Sequence, residues 1–144
     1  MIEKCLRNGT APVALVLAMV ASAGCGSGGP YEYVKVSGKI TYADGSPIPI
    51  EGMRLLFIAE DAPEVAGAHP RQAMAHVNER GEFECATTYK YGDGLIPGRH
   101  KVVIQAESMK DGKRILPKSC LAPGSTELTA DTSAVPMLIT VPKP

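Results

Sequence analysis

Apolar side chains recur at every second position along most of this chain, in short runs separated by Gly, Pro and Asx signals. A period of two is the rhythm of a strand with one buried face, and it leaves little room for helix. In VKVSGKITY, residues 34–42, Val34, Val36, Ile40 and Tyr42 point one way with Gly38 in phase, while Lys35, Ser37, Lys39 and Thr41 point the other. Asp44 and Gly45 then signal a turn, and Pro47 and Pro49 keep the next loop out of any ladder. Met53, Leu55, Phe57 and Ala59 form a second inward set. Their outward neighbours Leu56 and Ile58 are also apolar, and residues 61–70 are expected to fold over them as a loop.

Further strands are expected over residues 72–77, 82–87, 100–106, 126–130 and 137–141, with Phe83, Cys85, His100, Val102, Ile104 and Ala106 inward. Asn78-Glu79-Arg80-Gly81 reads as a tight turn, because Gly81 accepts positive φ. Residues 108–125 read as irregular, with Pro117 and Pro123 as breakers. Seven short strands with turn signals between them argue an all-β fold, a seven-stranded Greek-key sandwich. A doubly wound fold would need strands apolar on both faces, which the alternation excludes.

The amino terminus follows a different rule. Lys4 and Arg7 form a short positive start, residues 11–21 are apolar, and Ala21, Ser22, Ala23 and Gly24 lead into Cys25. That is the layout of a secretory signal over residues 1–24, and its apolar run is too short for a permanent bilayer span. Small residues directly before a Cys resemble the lipobox of bacterial lipoproteins, although Ser22 stands where Leu is commonest. The resemblance implies a diacylglyceryl group on Cys25. The alternative is an ordinary signal cut near Ala23, which would leave Cys25 as a reactive free thiol outside the cell. Gly26 follows the Cys and no Asp retention signal is present, so the outer membrane is the expected destination within the cell envelope. CGSGGPYEY, residues 25–33, reads as a flexible tether, and residues 34–142 as the folded domain.

Cleavage after residue 24 leaves 13 basic and 14 acidic residues, which gives no basis for nucleic-acid binding. The folded part of about 110 residues is enough for one modest core.

The segments VSGKITYADGSPI, VNERGEFEC and YKYGDGLIPGRHKVVI, with TELTADT near the end, resemble small bacterial lipoproteins carrying a carboxypeptidase regulatory-like domain, part of the transthyretin-like group. The resemblance runs from about residue 34 to residue 141 and implies a non-catalytic accessory or structural domain. Cys85 stands where that family usually has Leu, Cys120 where it often has Tyr, and His100 at a common Tyr position. With Cys5 lost and Cys25 lipidated, Cys85 and Cys120 remain in an oxidising compartment. The family positions direct both side chains inward, so a disulfide between them is one arrangement and two separate buried thiols the other.

Candidate chemistry is sparse. No HxH, HExxH, CxxC or GxSxG spacing occurs among His69, His76, His100 and the rest of the chain, so neither a metal site nor a serine nucleophile is expected. Gly92-Asp93-Gly94 is expected to be a structural turn whose Asp ties off its own backbone, rather than a calcium loop. Tyr89 and Tyr91 share a strand phase and are the candidate platform for stacking a sugar ring, against the alternative of packing at a sheet edge. The expected function is a membrane-tethered, non-enzymatic domain without cofactors that binds or scaffolds an envelope protein or glycan. The alternative is a small hydrolase of transthyretin-related type. The hydrolase of that group ends in Tyr-Arg-Gly-Ser, whereas this chain ends VPKP.

Overall fold

The computed structural model describes residues 29–144, so the signal and Cys25 lie outside the described residues. Nine strands form three sheets: β1 Gly38–Tyr42, β2 Arg54–Ala59, β3 Ala73–His76, β4 Glu82–Phe83, β5 Arg99–Gln105, β6 Met109–Lys110, β7 Lys113–Arg114, β8 Thr129–Asp131 and β9 Met137–Val141. One sheet has the order β4-β1-β9, a second β3-β2-β5-β8, and β6 and β7 form a separate hairpin. The only helical piece among the described residues is a 3-10 turn at Lys118–Leu121. The protein is all-β.

Alternation decides which face is buried. Val36, Ile40 and Tyr42 from the first strand segment join Met137, Ile139 and Val141 of β9 and Phe83 of β4. Leu55, Phe57, Ala73, Ala75, Val102 and Ile104 from the four-stranded sheet complete the same core. The Phe57 and Phe83 rings, one from each sheet, meet at 5.9 Å with a 55° tilt. An aromatic pair in that geometry contributes roughly 0.5–1.5 kcal/mol beyond its buried area. Gly38 has a packing reason: a Cβ there would come within 2.6 Å of the Phe83 ring.

The long ladder pairs β2 with β5 antiparallel, from Arg54 opposite Gln105 to Ala59 opposite His100. β1 pairs with β9 in parallel, from Gly38 opposite Met137 to Tyr42 opposite Val141. This union of the first and last strands has no sequence signal of its own, because a half-buried strand alternates alike in either direction.

Several expectations need correction. Residues 82–87 are not one strand. Phe83 pairs with Gly38 of β1, whereas Thr87 exchanges hydrogen bonds with Met74 of β3 at 2.8 and 2.9 Å. The chain therefore passes from one sheet to the other over residues 84–86. The first strand segment opens with an isolated bridge, Val34 to Leu95, before β1 begins at Gly38. Residues 108–125 are less irregular than expected. They hold the β6–β7 hairpin, and the Tyr42 hydroxyl secures the residue that follows it by donating to the Ile115 carbonyl at 2.7 Å. Thr126–Leu128 precedes β8 and already lines β5: Val102 N–H donates to the Leu128 carbonyl at 2.8 Å, and the Thr126 hydroxyl to the Val102 carbonyl at 2.6 Å.

Leu56 and Ile58 are half-buried. The cross-strand neighbours of Leu56 are Met74 and Val103, and that of Ile58 is Lys101. Val103 is buried despite its outward phase.

The expected tether is also too long at its carboxyl end. The Tyr31 hydroxyl donates to the carbonyls of Pro63 and Ala68 at 2.9 and 2.7 Å, fixing this residue to the loop that follows β2. That loop is closed by a two-residue turn between Val65 and Ala68, with φ of 51° at Ala66 and 76° at Gly67.

Candidate functional site

The residues singled out for function gather where the chain returns from the sheet crossing to β5. The anchor of this region is Asp93. Its Oδ1 accepts the Thr88 N–H at 2.7 Å, and its Oδ2 accepts those of Tyr89 and Lys90 at 2.8 and 2.9 Å. Burial works to raise the carboxyl, but donors from the Thr88, Lys90 and Tyr89 amides outweigh it and hold Asp93 below the ordinary carboxylate value. Thr87 Oγ1 accepts the Gly92 N–H at 3.0 Å, and the Thr88 hydroxyl donates to the Gly94 carbonyl at 2.6 Å. Gly94 has φ +110°, and a Cβ there would run into the Val34 carbonyl oxygen, so no other residue fits. Gly92, Asp93 and Gly94 thus form a turn closed on its own backbone, with both carboxylate oxygens of Asp93 accepting main-chain amides.

Tyr89 and Tyr91 do not form the expected pair. A common face requires a strand, and residues 88–92 are turn and bend. The Tyr89 ring is half-buried against Tyr33, with centroids 6.3 Å apart, and the Arg71 guanidinium lies over it at 4.1 Å. Tyr91 stands apart at 90% exposure. The Cys85 thiol beside it pushes its phenol above the usual value. Sequence reasoning missed Tyr31, Tyr33 and Arg71 as members of this region. No periodicity marked them: Tyr31 and Tyr33 fall on the phase of Lys35 and Ser37, opposite Val34 and Val36, and Arg71 reaches Tyr89 only through the fold.

Cys85 and Cys120 are both free thiols, so the disulfide is absent. The reason lies in the sheet crossing. The inward phase that carries Phe83 breaks after β4, Ala86 takes the core position, and Cys85 is left half-buried. The 3-10 turn, packed against β5, instead delivers Cys120 to the core cluster.

Cys85 and Tyr91 line a cleft with Met74, His76, Glu84 and Thr87, of volume ≈ 260 Å³. Small-molecule sites commonly span roughly 300–1,000 Å³, so the cleft falls below that range. His100 lies elsewhere, 2% exposed at the start of β5. Its Nδ1 sits 3.2 Å from the Gly98 carbonyl, and its ring meets Phe57 edge-on with centroids 6.4 Å apart. Burial lowers its pKa against the opposing pull of Gly98, Asp131 and Glu60. Asp93 is absent from that environment. The exposed His69 ring places Nδ1 3.5 Å from a Glu64 carboxylate oxygen, and His76 is exposed. Among the described residues, no three His, Cys, Asp or Glu side chains converge as metal ligands would.

No family model matches the chain, and no curated protein or solved structure matches it.

Proposed function

We propose that this chain is a bacterial lipoprotein, anchored through Cys25 to the outer membrane. On this reading its domain is a seven-stranded Greek-key β-sandwich of the carboxypeptidase regulatory-like, transthyretin-like kind. Its role at the cell envelope is to bind or scaffold an envelope protein or glycan without catalysis.

The observation that carries the reading is the run from Lys4 to Cys25, followed only six residue steps later by Tyr31, already hydrogen-bonded to the folded domain. Six steps span at most about 22 Å, so a lipid on Cys25 keeps the domain at a membrane surface. The sandwich is supported by a three-stranded and a four-stranded sheet that share one core. A contact role is supported by the exposed ring of Tyr91 and by the enclosure of His100 within the core.

Substituting Cys25→Ala in the full precursor tests the anchor. The variant is expected to lose incorporation of a labelled fatty acid and to leave the membrane fraction. Undiminished labelling of the variant contradicts the reading.

A further inference from the structure

We propose that the turn over residues 89–94 seats the domain on the bilayer that holds its anchor, with Tyr91 at the level of the lipid headgroups. The inference rests on the lipidation of Cys25 and adds an orientation to it. Of the seven aromatic rings in the chain, six are buried or half-buried and only Tyr91 projects into solvent. Its residue sits on a turn held by the Asp93 carboxylate and by both threonine hydroxyls, so the fold fixes where on the surface the side chain emerges.

That position is next to the tether. Val34 and Leu95 exchange hydrogen bonds at 2.7 and 3.0 Å, and Tyr33 packs on Tyr89. Gly29 lies so near that a Cβ on it would meet the Tyr89 ring at 2.9 Å. From Gly29 back to Cys25 is four residue steps, at most about 14 Å. Tyr91 is two steps from Tyr89, no more than about 7.6 Å between Cα atoms. An acyl group on Cys25 therefore holds this turn within reach of the interface, whatever path the intervening residues take.

The chemistry fits a headgroup layer. A tyrosine ring with an apolar body and a polar tip partitions to the membrane–water boundary. Lys90 is exposed beside it and Arg71 lies over Tyr89, while Glu84 shares the cleft with Tyr91. These opposed charges make the contact one with the interface itself, and zwitterionic lipid suffices. The β6–β7 hairpin lies beside Tyr42, at the opposite end of β1 from Gly38 and the Val34 bridge. It faces away from the bilayer.

The chain contains no tryptophan, so Tyr91→Trp creates a single fluorescent reporter at an exposed position. Met109→Trp, on the hairpin, is the matched control. Each lipidated mature protein is reconstituted into phosphatidylcholine vesicles with and without brominated acyl chains. Tyr91→Trp is expected to shift to shorter wavelength and lose most of its emission to the brominated lipid, and Met109→Trp to do neither. Unquenched emission from vesicle-bound Tyr91→Trp overturns the orientation, as does quenching of Met109→Trp alone. The mass of the Cys25 peptide separates the two failures: a protein without acyl chains fails the anchor, and an acylated Tyr91→Trp protein with unquenched emission fails the seat. In the unsubstituted protein, backbone amides of residues 90–92 are expected to exchange hydrogen more slowly on vesicles, and unchanged exchange counts against the seat.

Discussion

Replacing Asp93 by Asn tests whether one carboxylate holds the turn of residues 89–94. Asn keeps a single acceptor oxygen and turns an amide donor toward N–H groups that also donate. At least one of the half-buried Thr88 and Tyr89 amides then loses its partner. Hydrogen bonds to a charged group are worth about 1.5–3 kcal/mol each. The Lys90 amide is exposed, where water replaces the lost acceptor, and adds little. The expected loss is about 2 kcal/mol, or about 10 °C in Tm for a domain of this size. The gap between wild type and variant must also depend on pH. The folded pKa of Asp93 lies below its unfolded value, so its contribution is complete above about pH 4 and is lost as pH falls through the folded pKa. Thermal unfolding followed by circular dichroism from about pH 7 to about pH 2 reads both effects. A loss under about 0.5 kcal/mol at neutral pH, or a gap that stays constant into acid, refutes the reasoning.

The remaining expectations follow from single groups. The Tyr33 hydroxyl is buried without a hydrogen-bond partner among the described residues, so Tyr33→Phe is expected to leave Tm unchanged or raise it; a loss of stability of more than about 1 kcal/mol would reveal a partner. Thiol titration of denatured, non-reduced mature protein is expected to find both Cys85 and Cys120. In the native state a maleimide should take Cys85 first, because Cys120 is 2% exposed and burial raises its pKa. A bridge between them, or Cys120 reacting first, contradicts this. His100 is expected to remain neutral in the folded protein below the ordinary value of about 6.5, costing stability as pH falls from there through its folded pKa. A ring nitrogen that titrates at or above that value by NMR would contradict its enclosure beside Phe57.

Much of the fold was legible because burial and alternation are the same fact seen twice. Val36, Ile40, Leu55, Phe57, Val102 and Ile104 all take the inward positions that their phase assigns. The failures have a common cause, which is that phase survives only while a strand continues. At residues 84–86 the chain changes sheets, and Ala86 takes the core position that phase had given to Cys85. Residues 88–92 bend around Asp93, so the two-residue spacing of Tyr89 and Tyr91 does not place them on one face. The β6–β7 hairpin escaped notice because its two-residue strands are exposed throughout and carry no apolar rhythm. Within the candidate site, the turn at Asp93 was readable from Gly-Asp-Gly. The placement of Tyr33 and Arg71 on Tyr89 was not, since it depends on contacts far apart in the chain.

The most direct measurement of the central claim is the mass of the amino-terminal peptide of the mature protein, purified from envelopes of the cell that makes it. The account predicts a chain that begins at Cys25 and carries a thioether-linked diacylglyceryl group. An amino terminus at another residue, or a Cys25 bearing only a free thiol, would contradict it.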